Sequence, residues 1–198
     1  MAISERNWDR GFMADFNRTN GRSTMIPVEK RYLSEMKNLF WDQEAVARIL
    51  KHADPVIYEI YDIGAPARAG DLSFGTTIIH SGVIGDEYHM TRGHYRDGRG
   101  SAFTCYTLSG EGYVVMENRE KESIVLPLRI GEVSYVPGQF AHRLVNTGKS
   151  DLIIYYTSSA EAENSSEAIE ENGFHSMIIM RDGYPAIVEN PRWSEHRD

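Results

Sequence analysis

Residues 131–146 read GEVSYVPGQFAHRLVN, and this stretch decides the fold. The run Glu132–Val136 is rich in β-branched and aromatic residues, and a second run of this type covers His142–Asn146. Between them stands Pro137-Gly138, a pair of residues that marks a tight turn. The stretch therefore predicts two short strands joined by a short connection.

Runs of the same kind continue on both sides of this stretch, and turn signals such as Asp97-Gly98 and Thr147-Gly148 separate most of them. Eight or nine short strands at this spacing predict an all-β sandwich or barrel with its core at about residues 55–158. Two more short strands end the chain. The predicted strands outside 131–146 are Val56–Tyr61, Ser73–His80, Glu87–Gly93, Ala102–Leu108, Gly112–Met116, Ile124–Leu128, Leu152–Thr157, Ser176–Met180 and Ala186–Glu189.

Helices are predicted at both ends of the barrel. Apolar residues in Tyr32–Phe40 recur at i, i+4, i+7 and i+8, which is helical spacing. Asp42 is the expected N-cap of a second helix that must end before Pro55. A weak capping box followed by Gly173 predicts a C-terminal helix over residues 165–172.

The ends of the chain set the expected domain limits. Residues 1–25 are polar and show no period, so we expect an irregular N-terminal arm. Residues 26–198 then form a single domain, a size that can bury a substantial core.

Composition narrows the classes of function. The 198-residue chain has a formal net charge of −8, so it lacks a general attraction for nucleic acid or anionic lipid. Cys105 is its one cysteine, which rules out an internal disulfide and favours a reducing compartment. No apolar run is long enough to cross a bilayer, and the first residues are charged where a signal peptide needs an apolar run. We therefore expect a cytoplasmic protein with no nucleic-acid or membrane partner.

The stretch 131–146 resembles the second conserved motif of the cupin family. Gly131, Pro137, His142 and Asn146 stand at the spacing of that motif, whereas Gln139 replaces an expected glycine. In cupins the turn at the proline directs the next strand into the mouth of a barrel, and the histidine is a metal ligand. The resemblance implies a cupin double-stranded β-helix, a jelly-roll-like barrel, with short N-terminal helices and a C-terminal helix.

The first cupin motif is present in an altered form. It contains His-x-His, and later a glutamate seven residues before a glycine. His94 matches the first histidine and Gly110 matches the glycine. Arg96 stands at the second histidine, and Phe103 stands at the glutamate.

Longer segments narrow the resemblance to the cupin-type glucose-6-phosphate isomerases, from about residue 30 to the end. That family interconverts glucose 6-phosphate and fructose 6-phosphate, a step of glycolysis and gluconeogenesis. The resemblance implies a sugar-phosphate ligand, a divalent metal such as Fe²⁺ or Mn²⁺, and a homodimer. The matching segments are 54–61, 70–77, 86–94, 136–148 and 190–193.

The resemblance also implies where the ligands lie. The phosphate is expected at Thr77, Thr91 and Gly93, and the metal at His94 and His142. Arg96 and Phe103 cannot ligate a metal, because one is a cation and the other has no donor atom. Cys105 is on the same strand parity as Phe103, which makes it a conceivable third ligand. The candidate catalytic residues are His94, Arg96 and His142.

Two other functions stay open at this point. A non-catalytic sugar-phosphate sensor would explain why the phosphate residues are kept while the ligands are lost. An isomerase or epimerase with a different sugar substrate could work without metal and use Arg96 to stabilise an enediolate or a carboxylate. The sequence does not decide which glutamate replaces the missing carboxylate among Glu87, Glu111, Glu117 and Glu132.

Overall fold

The computed structural model describes residues 7–97, 102–161, 163–165 and 173–194, and antiparallel strands dominate it. The helices are α1 (Leu33–Met36), a 3₁₀ turn (Lys37–Leu39), α2 (Gln43–Leu50) and α3 (Pro191–Ser194). The strands are β1 (Glu29–Tyr32), β2 (Val56–Asp62), β3 (Leu72–Ile79), β4 (Val83–Ile84), β5 (Glu87–Tyr88), β6 (Tyr95–Asp97), β7 (Phe103–Ser109), β8 (Gly112–Glu117), β9 (Ser123–Leu128), β10 (Val133–Val136), β11 (Ala141–Asn146), β12 (Leu152–Ser159), β13 (Glu163–Ser165), β14 (Ser176–Arg181) and β15 (Tyr184–Glu189).

Two sheets form the barrel. The larger has the strand order β1-β2-β3-β12-β7-β10, and the smaller has the order β11-β8-β9. One apolar core contains buried side chains from both sheets, including Ile154 of β12 and Val114 of β8. Strands distant in sequence are neighbours, since β12 pairs with both β3 and β7. This is the all-β barrel that the strand spacing predicted.

Alternation along β12 gives the large sheet two apolar faces. Leu152 and Ile154 are fully buried in the barrel core, whereas Ile153 belongs to a second apolar cluster on the outer face. Because successive strand residues point to opposite faces, this run needs a cover on each side. The β8–β9–β11 sheet covers the inner face.

The N-terminal segment covers the outer face. Residues 7–28 contain turns and bends but neither helix nor strand. Trp8 and Phe16 pack against the cluster that contains Ile153. The Asp15 carboxylate ties the segment together by accepting hydrogen bonds from Ser23 Oγ at 2.8 Å and from the Thr24 amide at 3.0 Å. The Thr24 hydroxyl also donates to this carboxylate. These hydrogen bonds lower the pKa of Asp15 to about 2, and the two from Thr24 have the largest effect.

The helical predictions are confirmed in part. Asp42 caps α2, since its Oδ1 accepts a hydrogen bond from the Ala45 amide at 2.8 Å. The prediction of one helix through Tyr32–Phe40 was wrong. Met36 leaves helical geometry (φ −116°, ψ 4°), so the apolar stripe is divided between α1 and the 3₁₀ turn.

The remaining predicted elements have different outcomes. The predicted strand Glu87–Gly93 is limited to Glu87–Tyr88, followed by a single bridge at Met90. The predicted C-terminal helix begins where Ser165 ends β13, and residues 166–172 lie outside the described residues. The two terminal strands are confirmed as β14 and β15, which pair as a hairpin. No helix among the described residues has the length and apolar character to span a bilayer.

Gly21 tests the packing of the N-terminal segment. Its φ is +71°, and a Cβ there would lie 2.6 Å from Ile153 Cγ2. We expect Gly21→Ala to lower the free energy of unfolding by about 3 kcal/mol, the sum of left-handed strain and overpacking. Chemical denaturation measures this loss.

Gly131→Ala is the matched control. Gly131 also has a positive φ, +87°, but nothing lies within 4 Å of the added methyl group. Strain alone should cost about 1–2 kcal/mol there. Equal losses for the two variants would mean that the segment does not pack against Ile153 in solution.

Candidate active site

A cavity of about 470 Å³ opens on the inner face of the large sheet. Side chains from β2, β3, β7 and β12 form one wall, and β11 with residues 91–94 forms the other. Five predicted site residues line this cavity. They are Thr77, Thr91, Gly93, His94 and His142.

The segment Thr91–Gly93 is held against β11. The Thr91 amide donates to the Leu144 carbonyl at 2.9 Å, and the Leu144 amide donates to Thr91 Oγ1 at 3.0 Å. Because the hydroxyl oxygen accepts this bond, its proton is directed elsewhere and can be donated to a ligand. Gly93 is required here, since its φ is +80° and a Cβ would lie 2.6 Å from the ring of Phe174.

A buried arginine, Arg143, holds the segment Thr91–Gly93 in place through its backbone. Arg143 Nη2 donates to the Arg92 carbonyl at 2.8 Å, and its guanidinium lies 4.8 Å from the centroid of the Phe174 ring. Burial lowers the pKa of Arg143 to about 10, although the nearby carboxylates of Glu87 and Glu117 oppose that shift. These partners compensate the buried charge and fix the backbone that Arg92 belongs to.

Two further arginine side chains contribute to the cavity wall. Arg31 and Arg92 both line it, and Arg92 Nη2 also donates to the Glu35 carbonyl at 2.8 Å. Arg31 forms an ion pair with Glu29, which also lines the cavity. Arg92 and the hydroxyls of Thr77 and Thr91 add hydrogen-bond donors to this end. Such an end suits an anionic group.

His94 and His142 face each other across a β-bridge. Their ring centroids are 5.2 Å apart in an edge-to-face arrangement. The Phe103 ring lies 4.1 Å from the His142 ring, where the family pattern has a carboxylate. The described residues contain no group of three or more His, Cys, Asp or Glu side chains that could hold a metal ion together. Two imidazoles and a phenyl ring do not fit a four-ligand metal site.

Cys105 does not complete that set. It faces the same side of β7 as Phe103, as its parity predicted, but it lies fully buried in the core and away from the cavity. Burial raises the pKa of the Cys105 thiol to about 11, so the metal-binding thiolate is disfavoured at neutral pH. The backbone of Arg96 pairs with Asn164 in the β6–β13 ladder. The prediction for the Arg96 side chain lies outside the described residues.

None of the four glutamates considered as substitutes lines the cavity. Glu87 and Glu117 are buried beside Arg143, and burial raises the pKa of Glu87 to about 6. Glu111 and Glu132 are exposed to solvent.

Several polar residues of the cavity were not predicted from the sequence, among them Glu29, Asp62, Ser73 and Tyr156. Tyr58, Ile60 and Asp62 alternate along β2 and all line the cavity, so strand parity was a signal for Asp62. No comparable signal placed Tyr156 across the sheet from it.

Comparison with known proteins decides the family. The family model described as glucose-6-phosphate isomerase matches residues 30–192. The chain belongs to the cupin-type glucose-6-phosphate isomerase family. The "Glucose-6-phosphate isomerase" of Thermococcus gammatolerans is 39% identical over 173 residues, 86% of this chain and 91% of that protein. That of Pyrococcus abyssi is 37% identical over 186 residues, 92% of this chain and 96% of that protein.

More distant matches are weaker. The "Glucose-6-phosphate isomerase" of the bacterium Sinorhizobium medicae is 29% identical over 179 residues, 89% of this chain and 84% of that protein. Among solved structures, oxalate decarboxylase from Bacillus subtilis matches 56% of this chain and 28% of that chain, with a TM-score of 0.45 and 16% identity.

One histidine outside the cavity should control acid stability. His89 is 7% exposed and its Nδ1 lies 3.1 Å from the His80 carbonyl oxygen. Burial lowers the pKa of His89 from 6.5 to about 4. Between these values the unfolded chain binds a proton that the folded chain does not, so stability falls as the pH falls. The loss is about 3 kcal/mol, at about 1.4 kcal/mol for each pKa unit.

We expect His89→Gln to remove most of this loss between pH 6.5 and 4, because glutamine stays neutral. Denaturation curves across that pH range measure it. His52→Gln changes an exposed histidine and serves as the control, with a pH dependence like that of the unaltered chain. An unchanged pH slope in His89→Gln would contradict the assignment.

Proposed function

We propose that this chain interconverts glucose 6-phosphate and fructose 6-phosphate in the cavity of the barrel. The observation that carries the proposal is the convergence of Thr77, Thr91, Gly93, His94 and His142 on one cavity in a member of this isomerase family. Relatives named for this activity match most of the chain, which supports the same substrate class.

The phosphate group is proposed to bind at the donor-rich end. The hydroxyls of Thr77 and Thr91 would donate to phosphate oxygens, and Gly93, whose backbone packs against Phe174, forms the cavity wall beside them. Arg31 and Arg92 at the same cavity would contribute charge. This anchoring would hold the sugar with its carbonyl end away from the phosphate.

The chemistry requires transfer of a proton between C1 and C2 of the open-chain sugar. A base takes the proton from one carbon, and the oxygens of the resulting enediolate need hydrogen-bond donors. We assign these roles to the imidazoles of His94 and His142, since they stand together in the cavity wall. Arg96 remains a candidate for stabilising the enediolate.

The family resemblance implies a divalent metal such as Fe²⁺ or Mn²⁺ at His94 and His142, but two imidazoles alone do not make a four-ligand site. The described residues do not provide a full set of ligands, so no step of the proposed reaction depends on the ion. The protein's own imidazoles are expected to carry the proton transfer.

A coupled assay of fructose 6-phosphate tests the proposal. The purified protein is assayed after chelation, and again with Mn²⁺, Fe²⁺, Ni²⁺ or Zn²⁺ added. We expect turnover that persists after chelation. Turnover seen with an added ion and lost without it would support the isomerase but overturn the metal-independent mechanism.

Absence of turnover under every condition would overturn the isomerase, provided that the protein is folded and binds fructose 6-phosphate. Binding without turnover would select the sensor. The replacement of a carboxylate position by Phe103 is the observation that favours this alternative.

Thr77→Val tests the phosphate end. Loss of a hydroxyl that binds a charged oxygen should raise the Kd for fructose 6-phosphate about tenfold or more. Calorimetric titration measures this change. Thr107→Val is the matched control, because the Thr107 hydroxyl is fully buried away from the cavity and makes no hydrogen bond with a described residue. Similar Kd values for the two variants would place the phosphate elsewhere.

The remaining expectations from the family resemblance are also proposals. We propose a homodimer, which sedimentation equilibrium would detect, and a cytoplasmic location. The proposed ligand is a small sugar phosphate, and neither nucleic acid nor membrane is proposed as a partner.

A further inference from the structure

A second polar cluster lies in the same cavity, away from the residues assigned so far. It contains the carboxylate of Asp62 and the hydroxyls of Ser73 and Tyr156, and all three side chains line the cavity. Asp62 Oδ1 accepts from the Gly64 amide at 2.6 Å, and the Ser73 hydroxyl lies 3.0 and 3.1 Å from the two carboxylate oxygens. Tyr156 Oη donates a hydrogen bond to Asp62 Oδ2.

The sheet is built to allow this contact. Asp62 of β2 and Tyr156 of β12 are both register partners of Gly75, which lies on the strand between them. A Cβ at Gly75 would lie 2.9 Å from Tyr156 Oη and 2.1 Å from the Tyr61 carbonyl oxygen. The absence of a side chain therefore lets the tyrosine reach across β3 to the carboxylate.

The hydrogen bonds within the cluster determine that it offers acceptors, and not donors, to a ligand. Ser73 and Tyr156 each have one hydroxyl proton, and each directs it at Asp62. A hydroxyl oxygen that donates its proton keeps lone pairs that accept hydrogen bonds. The cluster thus presents acceptors and a negative charge, which suits hydroxyl groups and disfavours anions.

The two ends of the cavity are therefore complementary to different parts of one ligand. Thr77 stands two residues along β3 from Gly75, a separation of about 7 Å. The Thr77 hydroxyl is a donor and lies on one row of the sheet with Ile60 and with Glu29, the ion-pair partner of Arg31. The acceptors of Asp62 and Tyr156 lie on the row of Gly75. A ligand with a phosphate at one end and several hydroxyls on its carbon chain matches this arrangement.

We propose that Asp62, Ser73 and Tyr156 form a subsite that binds the hydroxyl groups on the carbon chain of the phosphorylated sugar. The proposal rests on the proposed function for the position of the phosphate. The Phe103 ring lies 5.7 Å from the Tyr156 ring at an interplanar angle of 19° and 4.1 Å from the His142 ring. This ring offers the carbon chain of the sugar an apolar surface between the hydroxyl subsite and the two imidazoles.

Binding measurements with ligands that cannot be isomerised test this subsite. Calorimetry would measure the Kd values of inorganic phosphate and of an open-chain hexitol 6-phosphate, which has the hydroxyls but no carbonyl group to isomerise. The unaltered protein should bind the hexitol phosphate more tightly than inorganic phosphate. In Tyr156→Phe and in Asp62→Asn we expect the Kd of the hexitol phosphate to rise about tenfold or more, with that of inorganic phosphate within about twofold.

Tyr155→Phe is the matched control, because Tyr155 lies on the opposite face of the same strand and packs 5.8 Å from the Phe16 ring centroid. Both Kd values should stay unchanged in it. Two results would overturn the subsite: equal affinity of the unaltered protein for the two ligands, or an unchanged ratio of Kd values in folded Tyr156→Phe. Thermal melting establishes folding, and Tyr156→Phe decides the test if Asp62→Asn is unfolded.

The assay of turnover separates this inference from the proposed function. A protein that shows the expected Kd pattern without turnover would keep the hydroxyl subsite and lose the isomerase. A protein that turns over fructose 6-phosphate, and whose Tyr156→Phe variant keeps the original ratio of Kd values, would keep the isomerase and lose the subsite.

Discussion

Arg143 carries its charge inside the protein, and the positions of the site residues depend on how that charge is compensated. Removing a guanidinium from water costs several kcal/mol unless hydrogen bonds and opposite charges replace the solvent. Here a backbone carbonyl at Arg92, the face of Phe174 and two buried carboxylates do so. Phe174 in turn packs against Gly93, so the same interactions that satisfy the arginine fix the segment that lines the cavity.

Strand β11 carries both the supporting Arg143 and two residues that line the cavity. His142 and Leu144 line the cavity, whereas Arg143 between them points to the opposite face. A shift of one residue in register would exchange these faces, which makes the pairing of β11 with β8 a condition for the site. The cavity then combines a donor-rich end, two imidazoles and an acceptor-rich cluster. The Phe103 ring contacts both His142 and Tyr156.

Most strands were predictable, because alternating β-branched runs bounded by Gly and Pro have one favourable arrangement in water. The cap at Asp42 was predictable for a similar reason, since it depends on residues three positions apart. The helix expected through Tyr32–Phe40 was not, because the apolar stripe there is buried by tertiary packing that tolerates a break at Met36. The short strands β1, β4, β6 and β13 were also missed, since two to four residues carry no measurable period.

By itself, the sequence determined the barrel class, the family and the identity of five cavity residues, because those features are written in local patterns and motif spacing. The resemblance to the family also led to the expectation that Arg96 and Phe103 stand at ligand positions. Tertiary structure alone decided that Cys105 lies away from the cavity and that the candidate glutamates do not replace the lost ligand. It also brought Asp62 to Tyr156, residues 94 positions apart in sequence. Such contacts depend on the order of strands in the sheet and on the space above Gly75, which no local pattern records.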